Sequence, residues 1–334
     1  MKKFLIICSV LLLVNQMSYA GGPISVAEDG TPAKWDGTIT LHPESGTCGS
    51  FTNPQMLAKI DENVSEWEDV SNVDLAFTIT DGAINEDVTD SNYQDYFVDS
   101  SGDAGLTDSI NPVVFDDDGM IVRDIFGSGS QFSVLGFAGP DGFNSDYTEI
   151  RDGQAFFNCR CLAGNGSCGG VLFTEDDLDF TMTHEIGHMI GLDHTQVNQA
   201  IAEGDCDLNV AGDCDDVPTM YPQSVDAGDQ ITPHRDDEVA LQVLYGLSDL
   251  TSSTYTVTGS LVDADGVPLR CADIQAETDD PADTIAVVSG VYAESTDSDG
   301  DGYTDGDGEC LDNCGDFTLR GLDPTKTYTI TVKP

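Results

Sequence analysis

Hydrophobic positions along the chain repeatedly change their period. From Trp35, "WDGTITLHP" alternates apolar and polar residues as a half-buried strand does. Asn53-Pro54 then marks a helix start, with Asn as the cap and Pro at the first helical position. Leu57, Ile60, Val64 and Trp67 follow at helical spacing, and in "NVDLAFTIT" the period returns to two, with Leu75, Phe77 and Ile79 on one strand face. "INPVVFDDDGMIVRDIFG" reads as strand, acidic turn, strand, and "FSVLGFAGP" and "YTEIRDGQAFFN" read as two more strands. A helix is expected over "TEDDLDFTMTHEIGHMIG". Thr174 and Asp177 form its capping-box start, Leu178, Met182, Ile186 and Met189 its apolar stripe, and Gly191 its stop. "RDDEVALQVLYG" reads as a last helix.

Past the linker "LSDLTSS" the style changes to short β segments: "STYTVTGSLVDADGVPL", "CADIQAE", "TIAVVSGVY", "GDFTLRGL" and "KTYTITVKP". That is the pattern of a small antiparallel sandwich. The expected architecture is therefore α+β: a mixed helix-and-sheet domain over residues 31–247, then an all-β module over residues 254–334.

Residues 1–20 change the picture of where the chain works. Lys2 and Lys3, an apolar core from Phe4 to Val14 and the small-x-small Ser18-Tyr19-Ala20 make a cleavable secretory signal. No later stretch reaches the roughly 18 apolar residues of a membrane span, so a secreted, extracellular or periplasmic monomer without a transmembrane segment is expected. Removing the signal takes two of 12 basic residues and none of 61 acids, leaving 10 − 61 = −51. That charge repels phosphate backbones and argues against nucleic-acid binding. The acids are mostly Asp beside Gly, which suits either a solvating surface or oxygen ligands for Ca²⁺. Of 10 cysteines, nine remain after Cys8 is lost. In an exported chain these are mainly disulfide candidates, and the odd count leaves one unpaired or shared between chains. Cys206 with Cys214 is the best local pair, while Cys48 suits a disulfide better than a latency thiol.

"THEIGHMIGLDHT" (residues 183–195) holds three of the chain's five histidines. Residues four apart share a helix face, so His184 and His188 can reach one tetrahedral Zn²⁺. Gly191 lets the chain turn so that His194 returns as third ligand, which leaves a fourth position open, the arrangement of catalytic zinc. Glu185 projects about 100° round the helix, beside the metal, where it can take a proton from a bound water. A purely structural zinc is the alternative, and it would leave Glu185 idle.

"HEIGHMIGLDH" resembles the signature of the metzincin zinc endopeptidases. "VPTMYP" is similar to that family's methionine turn, with Met220 beneath the metal, and its Met-Tyr-Pro looks like the matrixin branch, the matrix-metalloproteinase type. The resemblance covers roughly Ala33 to Gly246, strongly at the zinc motif and weakly elsewhere. Thr195 disfavours the astacin and adamalysin branches and also looks like the pappalysin type. His42 and His234, the other two histidines, are not placed for the second, structural zinc of matrixins. The resemblance implies peptide hydrolysis with Glu185 as general base. It also implies a protein or peptide substrate held along "SVLGFAG", so that Leu135, Gly136, Phe137 and Tyr221 become substrate-binding candidates.

"DSDGDGYTDGDGE" places Asp297, Asp299, Asp301 and Asp305, with the Tyr303 carbonyl, at the spacing that wraps one Ca²⁺. Gly308 stands where an EF-hand has its bidentate Glu, and the continuation through residue 314 is similar to thrombospondin type 3 repeats. Asp116 to Asp118 are a weaker candidate. The module around the loop is similar to carboxypeptidase-regulatory or prealbumin-like accessory domains, which implies a spacer or adhesive module. Two functions stand against each other: a secreted zinc endopeptidase stabilised by Ca²⁺, and a secreted adhesion or calcium-binding protein whose metzincin-like domain is inactive.

Overall fold

One sheet buries a different hydrophobic cluster on each face, and alternation along its strands assigns residues to each. The computed structural model describes residues 22–27, 30–97, 109–162, 173–197, 217–225, 227–248, 250, 253–269, 272–290 and 314–333. The signal segment, the loop carrying Cys206 and Cys214, and Asp297, Asp299, Asp301, Tyr303 and Asp305 lie outside the described residues.

The sheet contains β1 (Lys34–Trp35), β2 (Ile39–Pro43), β3 (Phe77–Ile79), β4 (Pro112–Asp116), β5 (Gly136–Phe143) and β6 (Glu149–Asn158). Their order is β1-β6-β4-β2-β3, with β5 laid antiparallel along β6 and every other pair parallel. A parallel strand covered on both sides needs apolar residues on both, and "PVVFD" of β4 is buried at every position. Val113 and Phe115 of β4 and Ala155 and Phe157 of β6 enter one cluster, while Val114 and Phe156 enter the other. This is the period-two rule acting on two neighbouring strands.

The first cluster is roofed by α1 (Asn53–Glu68) and α3 (Glu175–Met189). Thr52, not Asn53, caps α1, because its backbone amide and hydroxyl both donate to Gln55. Met56, Ile60, Val64 and Trp67 form the buried stripe, and Leu57 sits at its edge. Polar contacts lock the two helices in register. Lys59 Nζ donates to Asp179 at 2.8 Å, Thr183 Oγ1 to Asn63 Oδ1 at 2.8 Å, and Trp67 Nε1 to the Thr183 carbonyl at 2.9 Å. In α3 the Thr174–Asp177 capping box forms, with three acids in the first turn where the helix dipole favours them. Every residue from Phe180 to Met189 is buried, so α3 is a central helix.

The second cluster is covered by α2 (Met120–Phe126), at a position expected to be a strand. Asp118 and Asp116 accept the Met120 and Val122 amides at 3.1 and 2.8 Å, which supplies acceptors for a helix start. Asp117 accepts the Gly49 amide at 2.7 Å, so each of the three carboxylates offered above as a weak calcium site serves a backbone N–H. "FSVLGFAGP" is strand only from Gly136, after a 3₁₀ turn at Ser130–Phe132. Cys48 is disulfide-bonded to Cys159, tying the entry of α1 to the end of β6, and Cys161 and Cys314 are also disulfide-bonded.

A short helix α4 (Ala227–Gln230) leads to α5 (Arg235–Tyr245). Tyr245 locks the domain's end: its hydroxyl donates to the Ile190 carbonyl at 2.7 Å and accepts the Trp35 amide at 3.2 Å. The C-terminal module pairs β7 (Tyr255–Ser260) with β10 (Asp316–Leu322), and sets β8 (Asp273–Glu277) between β9 (Ile285–Val288) and β11 (Thr329–Lys333). Its core of Ile274, Ala276, Ile285, Leu319 and Leu322 includes Val239 of α5, so the two parts share packing. Among the described residues no helix is long and apolar enough to cross a membrane.

Candidate metal centre

The last turn of α3 and the loop after it bring three imidazoles together. His184 Nε2 lies 3.2 Å from His188 Nε2, His188 Nε2 lies 3.1 Å from His194 Nε2, and the third side is 3.3 Å. The loop closes tightly because Gly191 takes φ +96°, where a side chain would also meet Ile150 at 3.1 Å. The Leu192 amide then donates back to the Gly187 carbonyl at 2.9 Å, and Asp193 accepts the His194 amide at 2.7 Å.

Hydrogen bonds settle where the protons sit. His184 Nδ1 faces the Thr219 carbonyl at 2.7 Å and His188 Nδ1 faces the Leu192 carbonyl at 2.8 Å. A carbonyl only accepts, so both Nδ1 atoms carry hydrogen and both Nε2 atoms present lone pairs. Burial holds His184 down to about 3, helped by its neighbour His188, against the Thr219 carbonyl, which pulls it up. Burial likewise holds His188 down to about 4 and His194 well below its ordinary value. His184 and His188 thus aim lone pairs at one point to which His194 also brings its Nε2, an arrangement in which the first two repel each other unless a cation stands there. Tetrahedral zinc at 2.0–2.1 Å from nitrogen needs ligand atoms about 3.3–3.4 Å apart, so the donor set fits that ion. Among the described residues this is the one group of three or more His, Cys, Asp or Glu side chains so arranged.

Glu185 is fully buried, and neither carboxylate oxygen makes a well-formed hydrogen bond. Burial pushes it well above the usual carboxyl range, opposed by the Ala138 amide. Its side chain lies against β5: a Cβ on Gly136 would come within 3.0 Å of Glu185 Cγ and of Thr181 Cγ2.

Met220 packs against the helix that carries His184 and His188. A Cβ on Gly187 would stand 2.3 Å from Met220 Sδ and 2.9 Å from Trp67 Cζ2. Asp237 holds this turn, accepting the Thr219 amide at 2.8 Å, the Met220 amide at 3.1 Å and the His234 amide at 2.9 Å. One chain of bonds therefore runs from Asp237 through Thr219 to the His184 ring. Burial, with Asp236 beside it, raises Asp237 to about 7.

The substrate candidates divide. Gly136 borders Glu185. Leu135 is buried in the first cluster, and Tyr221 is buried with Val217. Phe137 points to the opposite face, stacked on Phe156 with ring centroids 4.8 Å apart, so its ring is core and β5 offers only its backbone there. His42 Nδ1 accepts the Asn111 amide at 2.8 Å, and His234 sits against Asp229. Sequence reasoning passes over Gly187, Asp237 and Asp236. A glycine inside a helix, which costs about 1 kcal/mol against alanine, is the one available signal, and it marks Gly187.

No family model matches the sequence, and the search of curated proteins found no match. Among solved structures, a chain from "GM1 bound form of the ECX AB5 holotoxin" is similar over 55% of this chain, at 12% identity and a TM-score of 0.27. The match spans 64% of that chain, and an overlap this shallow carries no argument about fold or function.

Proposed function

We propose that the chain is a secreted zinc-dependent endopeptidase of the matrixin-like metzincin type. One observation carries the reading: three neutral Nε2 atoms converge at 3.1–3.3 Å while the adjacent helix position holds a buried carboxyl with no good hydrogen bond. Zinc, when bound, polarises the scissile carbonyl and lowers the pKa of a coordinated water to about 7. The rest of the work belongs to the chain. His184, His188 and His194 would hold the metal, and anchored Nδ1–H groups fix ring orientation at the first two. Glu185 accepts a proton on its carboxylate and returns it to the departing amine nitrogen. A nearby cation favours the ionised form that burial alone disfavours, so the carboxyl can both take up and release that proton.

Among the described residues β5 pairs with β6 alone, and its other edge is where an extended peptide would be held by main-chain hydrogen bonds. Met220 would support the histidines by packing on the helix at Gly187. A calcium ion held by Asp297, Asp299, Asp301, Tyr303 and Asp305 rests on sequence spacing alone.

The test is Glu185→Gln with bound zinc measured on the same sample. Loss of peptide hydrolysis by about 10²–10⁴-fold at unchanged zinc content is expected. A zinc-loaded variant that cleaves a peptide library as fast as the parent would remove the mechanism. One zinc per parent chain without any turnover would turn the reading toward the inactive adhesion protein.

A further inference from the structure

The third ligand is held differently from the first two. His184 and His188 each tie Nδ1 to a backbone carbonyl, whereas His194 makes no such bond among the described residues. Its ring position therefore depends on the loop that carries it, and the C-terminal module grips that loop directly at Gln196 and Val197 and through Asp236 of α5 at Thr195. Thr195 Oγ1 donates to Asp236 Oδ2, and Asp236 Oδ1 accepts the Ala286 amide of β9 at 2.8 Å. Gln275 of β8 donates Nε2 to the Gln196 carbonyl at 2.8 Å. Val197 is buried against Ala286 and Val288. Thr195 is also bound to the Met220 turn, its amide donating to the Met220 carbonyl at 3.0 Å, and its hydroxyl accepts the Val197 amide at 3.0 Å. The module cannot drift from this grip, because Val239 of α5 fills its core and Arg235 Nη2 donates to the Gly321 carbonyl at 2.6 Å.

We propose that the C-terminal β module is a structural half of the metal site: it fixes His194 through the Thr195–Asp236–Ala286 link and the Gln275–Gln196 bond. Asp236 and Thr195 are positioning residues, acting on the metal through the loop and never touching it. The two adjacent acids of α5 then divide the site between them. Asp237 holds the turn behind His184, and Asp236 couples the loop behind His194 to the second domain. The module belongs to the site that reads zinc, more than to adhesion or spacing. This inference rests on the zinc reading of the preceding section.

The experiment uses the full chain and three variants. Thr195→Val removes the hydroxyl at constant shape, Thr195→Ser restores it, and Gln275→Met removes the amide that reaches Gln196. Zinc affinity is measured by competition with a chromogenic chelator, and site geometry by the visible spectrum of the cobalt-loaded protein. Loss of an outer partner of a metal ligand ordinarily costs 10–100-fold in metal affinity. A loss of about that size is expected for Thr195→Val and Gln275→Met, with an altered cobalt spectrum, while Thr195→Ser matches the parent. Circular dichroism of the metal-free proteins separates this from unfolding, and if Thr195→Val fails to fold, Gln275→Met decides. Folded Thr195→Val and Gln275→Met proteins with parental zinc affinity and parental cobalt spectra would overturn the inference while leaving the zinc reading intact. A parent chain that binds no zinc would overturn both.

Discussion

Met220 presses on Gly187 so closely that the glycine has no room for a methyl group: a Cβ there would stand 2.3 Å from Met220 Sδ. Gly187 lies between His184 and His188 on α3, so the sulfur supports the helix surface that carries both rings. On an exposed helix, Gly→Ala gains about 1 kcal/mol. Here the added carbon also meets Trp67 Cζ2 at 2.9 Å, and an indole ring pinned by its own hydrogen bond to Thr183 cannot move aside. Gly187→Ala is therefore expected to destabilise the fold by about 1–3 kcal/mol, the usual cost of overpacking, and to weaken zinc uptake. Denaturant unfolding of the metal-free protein and chelator competition check it. A stabilised variant would mean that Met220 does not sit beneath this glycine.

Each buried carboxyl contributes a pH dependence of definite sign. Burial, against the amides of Val88 and Phe115, raises Glu44 from 4.5 to about 8, and burial raises Asp116 and Asp236 to about 6. Between the unfolded and folded values the native state holds a proton that the unfolded chain has released, so stability falls as pH rises. For Glu44 the window is pH 4.5 to about 8, and each pH unit inside it costs up to about 1.4 kcal/mol. Urea unfolding at pH 7 and 8, above the range below 6.5 in which the buried imidazoles of His184, His188 and His194 act with the opposite sign, should show falling stability, with a shallower slope in Glu44→Gln. A slope unchanged by that substitution would show that Glu44 already ionises in the folded protein.

The Cys48–Cys159 bridge spans 111 residues of sequence. Closing so long a loop restricts the unfolded chain, and removing a native disulfide from a small secreted domain typically costs about 2–5 kcal/mol. The paired change of Cys48 and Cys159 to Ala should lower the free energy of unfolding, measured by denaturant titration, by that amount without displacing His184, His188 and His194. Thiol titration under denaturing conditions checks the pairing itself, since the double variant must lose two oxidised sulfurs and expose none.

What the sequence reveals here is what local spacing decides. The stripe of α3, its Thr174 cap and the four-residue offset of His184 and His188 all depend on neighbours within a turn or two, and all are readable. The seven residues "MIVRDIF" are apolar and partly β-branched, and they read as strand until Asp116 and Asp118 are seen to accept the amides of Val122 and Met120. Phe137 looks like a candidate for binding substrate because nothing in its own segment says which face of β5 it takes. That face is set by its stacking on Phe156 from another strand. Asp237 reaches the Thr219 and Met220 amides 18 and 17 residues earlier in the chain, a relation that composition and period do not carry.

The strongest expectation concerns the metal. With both Nδ1 protons committed to carbonyls, the lone pairs of His184 and His188 oppose each other at 3.2 Å, and His194 brings a third nitrogen within 3.3 Å. Opposing two acceptors so closely in a buried site costs stability, and a bound cation reverses the sign of that cost. Any ligand taken only by the folded state stabilises by about 4 kcal/mol at a thousandfold excess over its dissociation constant. Chelation should therefore lower the melting temperature and zinc should restore it. His194→Ala should abolish that response, and because it removes one of the converging nitrogens it should leave the metal-free variant no less stable than the chelated parent. A differential scan of the two proteins, each with chelator and with zinc, decides the matter. If zinc leaves the parent's transition where chelation put it, the three imidazoles are packing groups and the convergence at their tips has another cause.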